Sequence, residues 1–159
     1  MTNIEAIGHQ LAETIKVYSA DYIEARLEQS QTSYITYRGR DLDSIGKATT
    51  AGGNVRALVR GGWGFASFNN LNELPDRVAL AVKQAQFVGN EVSKLAPVEP
   101  VVDIVPSEID KNPVTIPLAQ KKQLLDEYND IIWRTPKLQT SVIGYGDSHK
   151  KVIFLNSLG

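Results

Sequence analysis

Asn54-Val55-Arg56-Ala57-Leu58-Val59-Arg60-Gly61-Gly62-Trp63-Gly64-Phe65-Ala66-Ser67 is the stretch whose reading decides the fold: two alternating runs separated by two glycines. Val55, Ala57 and Val59 share one face of the first run, and Trp63, Phe65 and Ser67 share one face of the second. Alternation with a period of two is what a strand produces. Gly61-Gly62 can supply the positive φ values of a two-residue turn. The stretch therefore predicts a tight β-hairpin over Asn54 to Ser67, turning at Gly61-Gly62, with the aromatics in the core and a solvated outer face.

Upstream, Ile4, Ile7, Leu11 and Ile15 recur at steps of three and four, which predicts an amphipathic helix from Ile4 to Val17. Asp21 to Glu28 and Ser33 to Arg38 alternate as strands, and Arg38-Gly39-Arg40-Asp41 is turn chemistry before a short strand from Leu42 to Ile45. Lys47 to Gly53 is small and polar and reads as a strand end or a loop.

Downstream, Leu74, Val78, Ala81, Val82, Ala85 and Val88 mark a helix from Glu73 to Gly89, with Asn72 as its N-cap and Gly89-Asn90 as its stop. Residues 93–117 carry five of the seven prolines, so an extended crossing is expected, with one short strand from Val101 to Val105. Pro117 opens a further helix from Leu118 to Trp133, with Leu124, Leu125, Tyr128, Ile131 and Ile132 as its apolar positions. Leu138 to Tyr145 and Lys151 to Leu155 read as two last strands joined by residues 146–150. The class is α+β: a single domain with a mostly antiparallel sheet and about three helices packed on it. Asn156-Ser157-Leu158-Gly159 is turn chemistry with no returning strand behind it, which reads as the truncated N-terminal part of a longer protein.

Composition narrows the function. The chain has 159 residues, and 17 basic against 18 acidic side chains leave no excess of positive charge for a nucleic acid or an anionic membrane. There is no cysteine, hence no disulfide framework and no thiolate nucleophile. No apolar run approaches the roughly 18 residues of a membrane span, and the first residues lack signal-peptide character, so a cytoplasmic location is expected.

Catalytic patterns are sparse. His9 and His149 are the only histidines and neither belongs to an H-E-x-x-H pattern, so no metal ligand is assigned. Ser67 sits in no nucleophile elbow, and Gly62-Trp63-Gly64-Phe65-Ala66-Ser67 lacks the third glycine of a dinucleotide loop. Glu24 and Glu28 alternate with Arg26 as an ion-paired exposed face. Arg56 and Arg60, close to Trp63, form the one grouping suited to gripping carboxylates or stacking on rings. No catalytic residue and no cofactor-binding residue is assigned.

Asp21-Tyr22-Ile23-Glu24-Ala25-Arg26, Val55-Arg56-Ala57-Leu58-Val59, Gly62-Trp63-Gly64-Phe65-Ala66-Ser67, Asn69-Asn70-Leu71 and the closing Asn156-Ser157-Leu158-Gly159 together resemble the N-terminal domain of the TldD/PmbA family, once labelled modulators of DNA gyrase. The chain departs from that pattern at Gly52-Gly53-Asn54, where the family commonly places glycine directly before Val-Arg. The resemblance implies that the intact protein is a zinc metallopeptidase, or the metal-less partner of one, acting on unfolded peptides as a homo- or heterodimer. It also implies that the zinc motif lies C-terminal to residue 159. Arg56, Arg60 and Trp63 are then the candidates for peptide or partner contact, on the wall of a substrate chamber, on a dimer surface, or at a sheet edge that takes an added strand. A freestanding interaction module and a gyrase-associated regulator are the alternatives.

Overall fold

The computed structural model describes residues 4–93 and 95–158. Its elements run α1 (Ile4–Val17), β1 (Tyr22–Arg38), β2 (Asp41–Val59), β3 (Gly62–Phe68), α2 (Leu74–Val88), α3 (Leu118–Ile132) and β4 (Val142–Asn156), with single 3₁₀ turns at Leu71–Glu73 and Pro113–Thr115. The four strands form one sheet in the order β3-β2-β1-β4. The α+β class and the three helices are as expected.

The strands are fewer and longer than expected. The segments 21–28 and 33–38 join into β1, and 42–45 joins the presumed loop 47–53 and the first hairpin run in β2. Residues 142–145 and 151–155 merge into β4 through residues 146–150 that read locally as a turn, while 138–141, expected in the strand, stay outside it. Polar and glycine-rich residues are weak strand formers alone, but a ladder on a neighbouring strand holds them extended. No strand forms at Val101 to Val105: that stretch is extended and its valines and isoleucine stand in solvent. Pro100 and Pro106 bracket it, and each removes a backbone donor that pairing would use.

The chain packs as two compact units. The first comprises residues 1–29, 51–106 and 151–159. Its core joins Leu11 and Ile15 of α1, Ile23, Ala25 and Leu27 of β1, Val55, Ala57 and Val59 of β2, Ala66 and Phe68 of β3, and Leu74, Val78, Ala81, Val82 and Ala85 of α2. The side chains of Ile4 and Ile7, expected on the same stripe as Leu11 and Ile15, lie outside the described residues. Helix α2 starts later than expected: Asn72 belongs to the 3₁₀ turn, where its N–H bonds the Asn70 side chain, and Glu73 holds the N-cap position. Gly89 ends the helix by donating to the Ala85 carbonyl.

The second unit comprises residues 30–50 and 107–150. Its apolar core is small: Ile35, Tyr37 and Leu125 are buried, with Leu118, Ile143 and Tyr145 packed around them. Helix α3 buries Lys121, Leu125 and Asn129, whereas Leu124, Tyr128 and Ile131 of the expected apolar set face solvent.

The hairpin is present with its turn moved by one residue. Val59 pairs with Gly62, so Arg60-Gly61 forms the turn, with φ of 46° and 78°. Two positive φ values define the turn type that matches strand twist. Asp21 makes the arginine tolerable by accepting the Arg60 N–H at 2.6 Å. Gly62 is withheld from the turn because the helix needs it. A Cβ there would lie 2.4 Å from the Ala85 carbonyl oxygen, and one on Gly64 only 1.9 Å from that of Ala81. The small inner face of β3 is thus what lets α2 lie against bare strand backbone, and the large side chains must point the other way.

Candidate functional site

That alternation corrects the expectation for the aromatics. Trp63 is 40% and Phe65 55% exposed, on the face of the sheet opposite the core. The register sets Arg56 opposite Phe65 and Leu58 opposite Trp63, while Tyr22 and Glu24 of β1 contribute beside β2. Leu58 is nearly inaccessible yet lies outside the inner core, so these outer side chains form a layer with a buried floor.

The layer is tightly interlocked. The Arg56 guanidinium stands 4.5 Å from the centre of the Trp63 ring, and its Nη1 is 2.9 Å from Glu24 Oε1. The Tyr22 hydroxyl donates to Glu24 Oε2 at 2.9 Å, and the Tyr22 and Trp63 rings meet edge to face at 6.2 Å. Burial, together with the hydrogen bond and charge of Glu24, pushes the Tyr22 hydroxyl up to about 12, against the opposing charge of Arg56. The phenol therefore keeps its proton at neutral pH and acts as a fixed donor. Both Glu24 oxygens are committed, one to Arg56 and one to Tyr22, which leaves no free base for acid-base chemistry. What the layer offers is a rigid ring surface edged by a guanidinium, suited to holding aromatic, apolar or carboxylate groups.

Of the three sequence candidates, Arg56 and Trp63 are brought together and Arg60 is not. Arg60 occupies the hairpin turn, and its Nη2 donates to the Gln86 carbonyl at 3.2 Å in the last turn of α2. Cations near a helix C-terminus satisfy its last carbonyls, so this arginine ties turn to helix. Tyr22 was missed because a tyrosine on a half-exposed strand carries no signal of its partners.

The second unit holds a polar cluster that the sequence did not announce. Lys121 Nζ lies 2.6 Å from Asp147 Oδ2 and 2.8 Å from Ser33 Oγ, and Ser33 donates to the same carboxylate. Lys121 and Ser33 are buried. Burial would raise the Asp147 carboxyl, but hydrogen bonds from Lys121, Ser33 and Tyr145 outweigh it and hold the group below the usual carboxylate range. A serine-lysine nucleophilic pair needs an accessible hydroxyl and a neutral amine as base. Here the hydroxyl is enclosed and the amine is the counter-ion of Asp147, so the cluster fastens α3 to β1 and β4. The only available hint was Lys121 spaced four residues before Leu125 on the helix.

Among the described residues no three His, Cys, Asp or Glu side chains converge to hold a metal ion. His9 lies on α1 and His149 on β4, so the donor set of a zinc peptidase does not assemble on these elements. Among the described residues no helix is long and apolar enough to cross a membrane.

Comparison with known proteins follows the fold. Residues 23–86 match the family model described as PmbA/TldA metallopeptidase domain 1. A metalloprotease of Synechocystis is 37% identical over 161 residues, which covers 99% of this chain and 35% of that protein. A metalloprotease of Methanothermobacter thermautotrophicus is 26% identical, covering 87% of this chain and 30% of its own length. The chain therefore spans about a third of the length of these curated relatives. Among solved structures, a protein of Bacteroides thetaiotaomicron described as a modulator of DNA gyrase superposes with a TM-score of 0.76 at 16% identity, covering 98% of this chain and 37% of that one. TldE of Thermococcus kodakarensis gives 0.75 at 13% identity, covering 98% and 35%. At these identities the structural likeness speaks for the fold.

Proposed function

Because residues 23–86 carry the first domain of the PmbA/TldA metallopeptidase family, we propose that this chain is the non-catalytic, recognition part of a zinc-dependent peptidase acting on unfolded peptides in the cytoplasm. The observation that supports this reading most is the outer layer of exposed Arg56, Trp63 and Phe65 with half-buried Tyr22, ordered by Glu24 and independent of the core. An unfolded polypeptide presents aromatic, apolar and carboxylate groups without fixed geometry. A preorganised ring surface with one guanidinium receives such groups at low ordering cost. Zinc and the residues that activate water belong, on this proposal, to other parts of the intact protein.

The test is peptide affinity. Binding of a reduced, carboxymethylated model polypeptide is measured by anisotropy for the wild type, Arg56→Ala, Trp63→Ala and Arg60→Ala. Loss of one ring or guanidinium contact worth about 1–2 kcal/mol should weaken binding by about 5–30-fold. Arg56→Ala and Trp63→Ala are expected to show that loss, while Arg60→Ala changes stability and leaves affinity in place. Unchanged affinity in both layer variants would remove the layer from the reading.

A further inference from the structure

One exposed apolar stretch is used neither by the cores nor by the outer layer. Residues 95–106, Leu95-Ala96-Pro97-Val98-Glu99-Pro100-Val101-Val102-Asp103-Ile104-Val105-Pro106, hold five β-branched apolar side chains and two acids, with no base. Val101, Val102, Ile104 and Val105 are between 80% and 91% exposed. Contiguous apolar surface of this kind marks a site of contact. Pro97, Pro100 and Pro106 keep the stretch extended and bar it from a helix, so it meets a partner already ordered. The stretch and the outer layer of Tyr22, Arg56, Trp63 and Phe65 belong to the same compact unit.

We propose that this stretch is a strap that closes over the outer layer, with Asp103 on Arg56 and with Val101 and Val105 on the rings of Trp63 and Phe65. The inference rests on the peptide reading above and adds an internal competitor to it. Charge is complementary: both Glu24 oxygens are engaged, so the guanidinium of Arg56 keeps N–H donors for a second carboxylate. Among the described residues Asp103 forms no ion pair, and its Oδ1 accepts the adjacent Ile104 N–H at 2.7 Å. Spacing agrees as well. In extended backbone Val101, Asp103 and Val105 share one side at steps of about 6.6 Å. Trp63 and Phe65 stand two residues apart along β3, with Arg56 opposite Phe65 and over the Trp63 ring. The tether reaches: Glu91 N–H donates to the Arg60 carbonyl at 3.1 Å, and a Cβ on Gly61 would lie 3.2 Å from Ser93 Oγ, so the chain passes the hairpin turn there. Arg56 is about 13 Å from Arg60 along β2, whereas the chain from Ser93 to Asp103 spans about 31 Å. A closed strap and a bound peptide cover the same rings, so apparent peptide affinity falls with the open fraction.

The chain has no cysteine, so a single nitroxide attached through Ser67→Cys, on the layer's face of β3, can be read by amide NMR of the 159-residue chain. Closure is expected to broaden the amides of Val101 to Val105, with the chemically reduced label as reference. Asp103→Lys should restore those signals. The same substitution should raise affinity for the carboxymethylated polypeptide about three- to tenfold. Asp110→Lys, an equal change of charge outside the strap, should leave that affinity unchanged. Absence of broadening with Asp103 in place would overturn the strap, and is the result expected if a separate partner covers these valines. Broadening without a gain in peptide affinity from Asp103→Lys would overturn the competition, provided that Trp63→Ala weakens the peptide. If Trp63→Ala leaves the peptide bound while the broadening is intact, the failure lies in the peptide reading and the strap stands.

Discussion

Gly64→Ala tests the seating of α2 most directly. The added Cβ would lie 1.9 Å from the Ala81 carbonyl oxygen and 2.8 Å from both the Ala81 carbonyl carbon and the Ala85 nitrogen. All three atoms are helix backbone, so no rotamer change can relieve the clash. Restoring ordinary contact of about 3.4 Å requires α2 to retreat from β3 by more than 1 Å, and a gap of that size forfeits a quarter to a half of the dispersion energy across the interface. Five buried side chains of α2 sit in that interface. Overpacking costs typically run to about 1–3 kcal/mol, and an obstacle made of backbone belongs at the upper end. For a chain of this size that is a fall in Tm of about 6–12 °C. Thermal unfolding followed by circular dichroism reads it, with Gly144→Ala as the control because a Cβ there meets nothing within 4 Å. Gly64→Ala melting within about 2 °C of Gly144→Ala would refute the close-approach reasoning.

Two further outcomes follow from the polar groups of the second unit. Lys121→Ala leaves the Asp147 carboxylate buried beside Ser33 without its cation, and removal of one partner of a buried pair costs about 3–5 kcal/mol. Urea unfolding should show that loss, and Lys121→Met/Asp147→Leu should recover much of it; equal destabilisation in the double variant would contradict a pair-based account. Both ends of the pH range should also be sensitive. Asp147 and Asp126 are held below the ordinary carboxylate value of 3.8, so the stability they contribute is present above that value and is lost as pH falls through their lower folded values. Burial first, then the hydrogen bond and charge of Asp147, push Tyr145 from 10.0 to about 12. Its contribution is complete below pH 10 and declines between 10 and 12, a slope that Tyr145→Phe should flatten in denaturation measured at pH 9 and pH 11.

How much of this was legible depended on whether the controlling contact was local. Helix α1 falls where the periodicity sets it, and α3 starts behind Pro117 as its sequence demands, because stripes and N-terminal prolines act within a few residues. The breaks read at 29–32, 47–53 and 146–150 were local weaknesses that neighbouring strands override. The turn was misplaced by one residue because Gly61 and Gly62 look alike in sequence while serving different partners, one the turn and the other Ala85 of α2. The aromatics were placed in the core on hydrophobicity alone. The alternation of Gly62, Gly64 and Ala66 with Trp63, Phe65 and Ser67 carried the correct answer when set beside Ala81, Ala85 and Gly89 of the helix. The Glu24–Arg56 pair and the Lys121 cluster join residues far apart in the chain, and no spacing rule reaches them.

The bare inner side of β3 has a consequence for how such a protein can change. Its geometry assigns fold stability to positions 62, 64 and 66 and surface identity to positions 63, 65 and 67. Exchanging Trp63, Phe65 or Ser67 alters what the exposed sheet presents while leaving the helix seat untouched. The hairpin therefore works as a mount with interchangeable faces: recognition can drift from one relative to the next at little cost to folding, and the glycines beneath it cannot drift at all.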